Sequence, residues 1–297
     1  MRHQIPLDAG SRAGTALPNN ARSRTRQVTA DLASKRLCIV NVAFFGLPGA
    51  PDRRWVLIDT GIPATAGTIV RAAAQRFGRG SRPAAILLTH GHFDHVGSVQ
   101  KLAEMWDAPV YAHPLEHPFL NGTTAYPPAD PTVGGGLMAT LSPIYPRGPI
   151  DISRWLRSLP EDEVPAMPGW RWIHTPGHSP GHVSFWREAD RALIVGDAFI
   201  TTNQESAYSV MLQQPELHGP PQYYTPDWHS ARESVRRLAQ LEPELVITGH
   251  GPPMRGANMR AALNLLARDF DRIAVPAHGH YVESDTSHEL QPRRRAG

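Results

Sequence analysis

The chain has 297 residues, 41% of them hydrophobic and 19% charged, with a net charge of +3 and one cysteine, Cys38. A single cysteine excludes a disulfide within the chain. No apolar run reaches the roughly 18 residues that read as a membrane-spanning helix. The length suits one large domain or two small ones. The charge is uneven: residues 1–36 hold seven Lys/Arg against two Asp, a balance of +5, so residues 37–297 carry −2 of the total. A slightly acidic body counts against nucleic acid as a partner, because that would need clustered cations on the folded part. Nothing points to a membrane partner either, and the expected location is cytoplasmic.

Residues 1–26 are rich in Arg, Ser, Asn and Gly without a period and are expected to form a disordered basic tail. "RLCIVNVAFFG" (36–46) and "RWVLIDTG" (54–61) read as strands joined by the turn-like "LPGAPDR". Cys38 lies in the first of them and is expected to be a small buried core residue. "ATAGTIVRAAAQRFG" (64–78) has helical spacing at Ile69, Ala72, Ala73 and Phe77 and stops at Gly78. "AAILLTH" (84–90) reads as a buried strand, "HVGSVQKLAEMWD" (95–107) as a helix and "PVYAH" (109–113) as the next strand. Residues 114–168 are dense in Pro, Gly and aromatics and read as a lid-like insertion, with a short helix at "ISRWLRSL" (152–159).

A second series follows. "WRWIHTPGH" (170–178), "HVSFWRE" (182–188) and "RALIVGDAF" (191–199) read as strands. "TPDWHSARESVRRLAQLE" (225–242) reads as a helix with Asp227 as N-cap. "LVITGHG" (245–251) reads as a last strand and 256–275 as a closing helix. One domain over 27–283 is expected, with a flexible tail at 284–297. The repeated order of strands, helix and strand suggests two related sheets packed face to face, each covered by helices.

"LLTHGHFDHVG" (87–97) places His90, His92, Asp94 and His95 where a strand gives way to a helix. Imidazole nitrogens and a carboxylate oxygen at that density suit Zn²⁺ and related divalent ions. One turn cannot complete two coordination spheres. Further ligand-type residues stand at later strand ends: His174, His178 and His182 in "HTPGHSPGH", Asp197 in "LIVGDAF" and His250 in "VITGHGPP". In a layered α/β fold such ends gather at one edge. His113, His117, His218, His229, His278 and His280 are expected on loops or at the surface.

Taken together, H-x-H-x-D-H at 90–95, "TPGHSPGH" at 175–182, "GDA" at 196–198, "TGHG" at 248–251 and "LIDTG" at 57–61 resemble the metallo-β-lactamase superfamily. The resemblance spans about residues 37–251. It implies an α/β fold of the αββα sandwich type, with a dinuclear site for two divalent metal ions. Zinc is the first expectation, with manganese, iron or cobalt also able to occupy such sites. It further implies that His90, His92 and His178 hold one ion, that Asp94, His95 and His250 hold the other, and that Asp197 bridges them. Asp59 would orient a ligand histidine, and His182 would support the site from behind.

The implied reaction is metal-dependent hydrolysis. A hydroxide shared by two ions attacks the carbonyl of a small lactone, ester or thioester, and Asp94 or Asp197 moves the proton. The pattern is closest to the glyoxalase II-type thioesterases and the N-acyl-homoserine lactonases. Asp197 sets it apart from the true zinc β-lactamases, leaving β-lactam hydrolysis as a weak side activity. The lactonases carry a tyrosine three positions after the bridging Asp, and here that position is Ile200. Tyr208, Tyr223 or Tyr224 could substitute for it, but they are expected to pack within their own loop. The alternative from another class is a persulfide dioxygenase-like enzyme using one Fe²⁺ at His90, His92 and either Asp197 or His178. The oligomeric state is left open.

Overall fold

The structure is a computed structural model and describes residues 5–6, 25–134, 137–161, 163–202 and 216–282. The tail expected at 284–297, most of the tail expected at 1–26, and Tyr208 lie outside the described residues.

The strands in chain order are β1 (Ile5–Pro6), β2 (Arg26–Gln27), β3 (Leu32–Leu37), β4 (Val40–Phe45), β5 (Val56–Ile58), β6 (Ala85–Leu87) and β7 (Val110–Ala112). They continue as β8 (Leu156–Ser158), β9 (Trp170–His174), β10 (Val183–Arg187), β11 (Ala192–Gly196), β12 (Glu216–Leu217), β13 (Leu245–Thr248) and β14 (Met254–Arg255). One sheet has seven strands in the order β2-β3-β4-β5-β6-β7-β8, and a second has five in the order β14-β13-β11-β10-β9. β1 pairs with β12.

Alternation along each strand explains the layering, because successive side chains face opposite sides of a sheet. Val56 and Ile58 of β5 join Ile194 of β11 and Leu245 and Ile247 of β13 in the core between the sheets. Leu57 and Ile86 face outward, onto the helices Ala66–Phe77 and Val99–Trp106. On the far side, Leu193, Val195 and Val246 pack under Trp228–Ala239 and Ala257–Arg268. The result is the expected αββα sandwich. The helix read from Ile69, Ala72, Ala73 and Phe77 buries those four residues and ends at Gly78. Phe77 stacks on Trp55 at 4.5 Å and 14°, a contact that contributes about 0.5–1.5 kcal/mol beyond area burial.

Four expectations are corrected. The single strand read at 36–46 is a hairpin, β3 and β4, turning at Cys38–Ile39. Cys38 takes φ 61° there and is exposed rather than a core residue. The apolar run continues through a two-residue turn without the Gly or Asn that normally marks one. The short helix read at 152–159 is replaced by the edge strand β8, which pairs parallel to β7. Its backbone finds ladder partners on β7, and that outweighs a weak local pattern. Finally, the helix read at 95–107 divides into Phe93–Val96 and Val99–Trp106.

β5–β6 and β11–β13 are parallel pairs. Their carboxyl ends therefore lie on common edges, where open α/β sheets place their sites. The sheets are joined there by backbone hydrogen bonds from Val183 N to Thr89 O (2.9 Å) and from Asn41 N to Gly249 O (2.7 Å).

Candidate metal centre

Each ligand-type residue follows one of these strands or its loop. Asp59 comes just after β5, in the left-handed region at φ 59°. This conformation is uncommon for a residue other than Gly and costs energy, which marks the position as constrained. His90, His92, Asp94 and His95 follow β6, with His92 as N-cap of the short helix Phe93–Val96. His178 lies in the loop between β9 and β10, Asp197 directly follows β11, and His250 follows β13. All seven expected ligands are buried.

They converge. His90, His92 and His178 offer ligand atoms within 4.8 Å of one another, as do Asp94, His95 and His250, and as do His90, His95 and Asp197. His92 Nδ1 faces His178 Nε2 at 2.9 Å. Asp197 stands between the first two groups: Oδ2 lies 3.5 Å from His178 Nε2 and 3.1 Å from His250 Nε2, and Oδ1 lies 3.5 Å from His95 Nε2. Asp94 Oδ2 is 3.3 Å from His250 Nε2. Gly249 makes this crowding possible, since a Cβ there would stand 2.0 Å from Asp197 Oδ1.

The outward ring nitrogens are already engaged. His95 Nδ1 donates to Asp59 Oδ2 at 2.8 Å, and His250 Nδ1 donates to the Ile39 carbonyl at 2.8 Å. Thr89 Oγ1 gives its proton to Asp59 and so accepts from His90 Nδ1 at 3.1 Å. Thr225 Oγ1 gives its proton to the Pro221 carbonyl and accepts from His178 Nδ1 at 3.3 Å. These bonds leave the Nε2 atoms of four histidines turned inward. His90 Nε2, His95 Nε2 and Asp197 Oδ1 are buried there without a hydrogen-bond partner. Buried orphan acceptors are costly, and a divalent cation satisfies all of them at once. The donor set of five imidazoles and two carboxylates fits such an ion chemically.

The electrostatics differ across the cluster. Burial pushes His90 and His178 well below the ordinary imidazole value and His92 down to about 4. These three rings are neutral donors. For His250, burial opposes the charged form, but Asp197 and Asp94 outweigh it and raise the group to about 10. Positive charge is favoured on that side, whether carried by a proton or by a metal.

His182 is not a member of the donor groups. Its Nε2 accepts from Asp197 N at 2.9 Å and its Nδ1 meets Thr175 Oγ1 at 2.8 Å. It pins the backbone that carries Asp197, in keeping with a supporting role. Asp59 receives Thr89 N and Thr89 Oγ1, each at 2.8 Å, and is thereby held against His95. His113 and His174 stack on each other at 4.4 Å and, like His117, His218, His229, His278 and His280, belong to none of the donor groups.

Two residues take places the sequence reading did not give them. Tyr224, expected to pack within its loop, stacks on His92 at 4.7 Å and 28°. Glu116 from the insertion is fully buried against the 90–92 turn and the 178–181 loop. Neither carries a local signal, because what marks them is contacts distant in sequence. Beside the cluster lies a small pocket with His92, His178, Tyr126, Pro128, Tyr224 and Tyr281 in its wall.

Fold and site together describe an αββα sandwich with a buried His/Asp cluster able to hold metal ions. Residues 36–250 match the model of the metallo-beta-lactamase superfamily, and the chain belongs to that superfamily. It is similar to the probable metallo-hydrolase YflN of Bacillus subtilis (strain 168), at 52% identity over 236 residues, covering 79% of this chain and 89% of the relative. The probable metallo-hydrolase YybB of the same organism is 32% identical over 195 residues, covering 66% of this chain and 74% of the relative. A beta-lactamase domain protein from Burkholderia ambifaria shares the fold, with a TM-score of 0.58 and 23% identity, covering 90% of this chain and 80% of that one. No helix among the described residues is long and apolar enough to cross a membrane.

Proposed function

We propose that this chain is a dinuclear metal-dependent hydrolase acting on the carbonyl of a small ester, lactone or thioester. The observation that carries this reading is the placing of Asp197 between two donor groups, His90–His92–His178 on one side and Asp94–His95–His250 on the other. Two divalent ions held there, zinc in the first instance, supply Lewis acidity: they lower the pKa of a water and polarise the substrate carbonyl.

The chain's own residues do the rest. Asp59, Thr89, Thr225 and the Ile39 carbonyl fix the rings so that little reorganisation accompanies reaction. Asp94 and Asp197 are held ionised by the neighbouring histidines against the opposing effect of burial. Either carboxylate can take up a proton at the centre. Tyr224 supplies a donor where Ile200 occupies the third position after Asp197. Its hydroxyl is buried without a partner, and burial together with Asp94 keeps it protonated. The pocket beside the cluster is walled by tyrosine and proline, which favours an apolar over a charged group next to the ions. No Lys or Arg lines it among the described residues, which favours a neutral carbonyl substrate over a polyanion.

The test is a hydrolysis screen of zinc-loaded protein against p-nitrophenyl esters, lactones, an acylglutathione and a cephalosporin, with metal content measured in parallel. Turnover of esters, lactones or the thioester with about two zinc ions per chain is expected. One iron per chain, with oxygen uptake on a persulfide and no hydrolysis, would replace the reading with the dioxygenase.

A further inference from the structure

Glu116 is contributed by the 114–168 insertion and is completely buried. Its two carboxylate oxygens serve two different loops. Oε2 accepts from Gly91 N at 2.9 Å, between His90 and His92, and from the hydroxyl of Tyr126. Oε1 accepts from Ser179 Oγ at 2.8 Å and Gly181 N at 2.7 Å, directly after His178. These two loops meet where His92 Nδ1 faces His178 Nε2. The approach is close: a Cβ on Gly181 would stand 2.7 Å from Glu116 Cγ.

We infer that Glu116 is a positioning residue for the metal centre. It ties the turn carrying His90 and His92 to the loop carrying His178, so that the three rings converge on one ion. The inference rests on reading the cluster as a metal site. It makes part of the insertion a structural member of that site rather than only a cover over it. All four partners of Glu116 are donors, so the side chain must accept on both oxygens. Two of them, Gly91 N and Gly181 N, are backbone groups that can only donate, one to each oxygen. Gln keeps the shape but turns an NH₂ toward one of the two loops: toward Gly181 it leaves that N–H without an acceptor, and toward Gly91 it leaves only the Tyr126 hydroxyl, at 2.9 Å, to accept. Its backbone bonds fall at Gly91, between His90 and His92, and at Gly181, three positions after His178, so loss of Glu116 acts first on the three-histidine side.

Chelator-competition titration of the metal-free full chain with Zn²⁺, followed by cobalt absorption spectra, tests this. Wild type, Glu116→Gln and Ser179→Ala are compared, with His92→Ala marking the signal of the three-histidine site. Glu116→Gln is expected to weaken the ion at His90, His92 and His178 by roughly 10–100-fold, while the ion at Asp94, His95 and His250 moves far less. Ser179→Ala removes one donor only and is expected to shift the same site by less than about 10-fold. It carries the test if Glu116→Gln does not fold. Wild-type affinity at the three-histidine site in the folded variants overturns the inference. Equal weakening of both ions together with a lowered melting temperature reduces Glu116 to general stability and overturns it too. Wild type that takes up no zinc overturns the metal reading itself, a result distinct because no variant is needed to see it.

Discussion

The first sheet delivers His90, His92, Asp94 and His95 from one turn, whereas the second delivers His178, Asp197 and His250 from three separate places in the chain. In the turn, one backbone path aims four side chains at two neighbouring points. In the second sheet, each ligand has its own support: Thr225 for His178, His182 for the backbone of Asp197, and the Ile39 carbonyl for His250. Damage to the turn as a whole should therefore spread across both donor groups, whereas a change at its Gly91 end falls first on His90 and His92. Damage in the second sheet should stay with the ligand it touches, except at Asp197, which reaches both groups.

That exception gives the largest expected effects. Asp197→Asn should lower turnover by more than about 100-fold, beyond the range of substitutions one step removed from a metal. The fold should remain, as read by circular dichroism. His92→Ala should abolish metal-dependent hydrolysis in the same way. Wild-type turnover at normal metal content in either variant would break the comparison. Next comes Asp59→Asn, which weakens the bond that orients His95. It should cost roughly 10–100-fold in metal affinity or activity, and zinc titration should place the loss on the Asp94–His95–His250 side.

The contrast between the halves also accounts for what was legible. The 90–95 cluster could be read from spacing alone, since four ligand-type residues stand within six positions. His178, Asp197 and His250 are single residues after apolar strands, and they gained meaning only as an ordered set resembling a known superfamily. The parallel pairs that bring them to one edge were not readable, because pairing is decided between distant segments. Glu116 was invisible for the same reason: its partners Ser179 and Gly181 lie 63 and 65 positions away. Cys38 misled because its turn is built from Leu37, Cys38, Ile39 and Val40 with no residue type that usually breaks a strand.

Tyr224 offers a smaller effect that sharpens the contrast, since it belongs to the second half yet packs on a ligand of the first. Tyr224→Phe keeps the ring on His92 and removes only the hydroxyl. A loss of about 10-fold in kcat is expected, corresponding to ~1.4 kcal/mol for one hydrogen bond made during reaction. Zinc content should not change. A rise in KM at constant kcat would instead assign the hydroxyl to substrate binding alone.

The smallest expected effect tests whether support in the second half is local. Asp227 caps the helix Trp228–Ala239 by accepting from Ser230 N at 2.8 Å. The same helix reaches back to the His178 loop, where Ser234 Oγ donates to the Pro176 carbonyl at 2.7 Å and Asp227 N donates to the Gly177 carbonyl at 3.3 Å. Asp227→Ala removes the cap but keeps both of those contacts. Its cost should be about 1 kcal/mol of stability, the usual effect of losing an N-cap, read from chemical denaturation. Zinc affinity should stay at the wild-type level, because His178 is held by Thr225 and by the loop's own bonds rather than by the cap. A matching fall in zinc affinity would show that the helix end and the ligand loop move as one unit, and the picture of separately supported ligands would then fail.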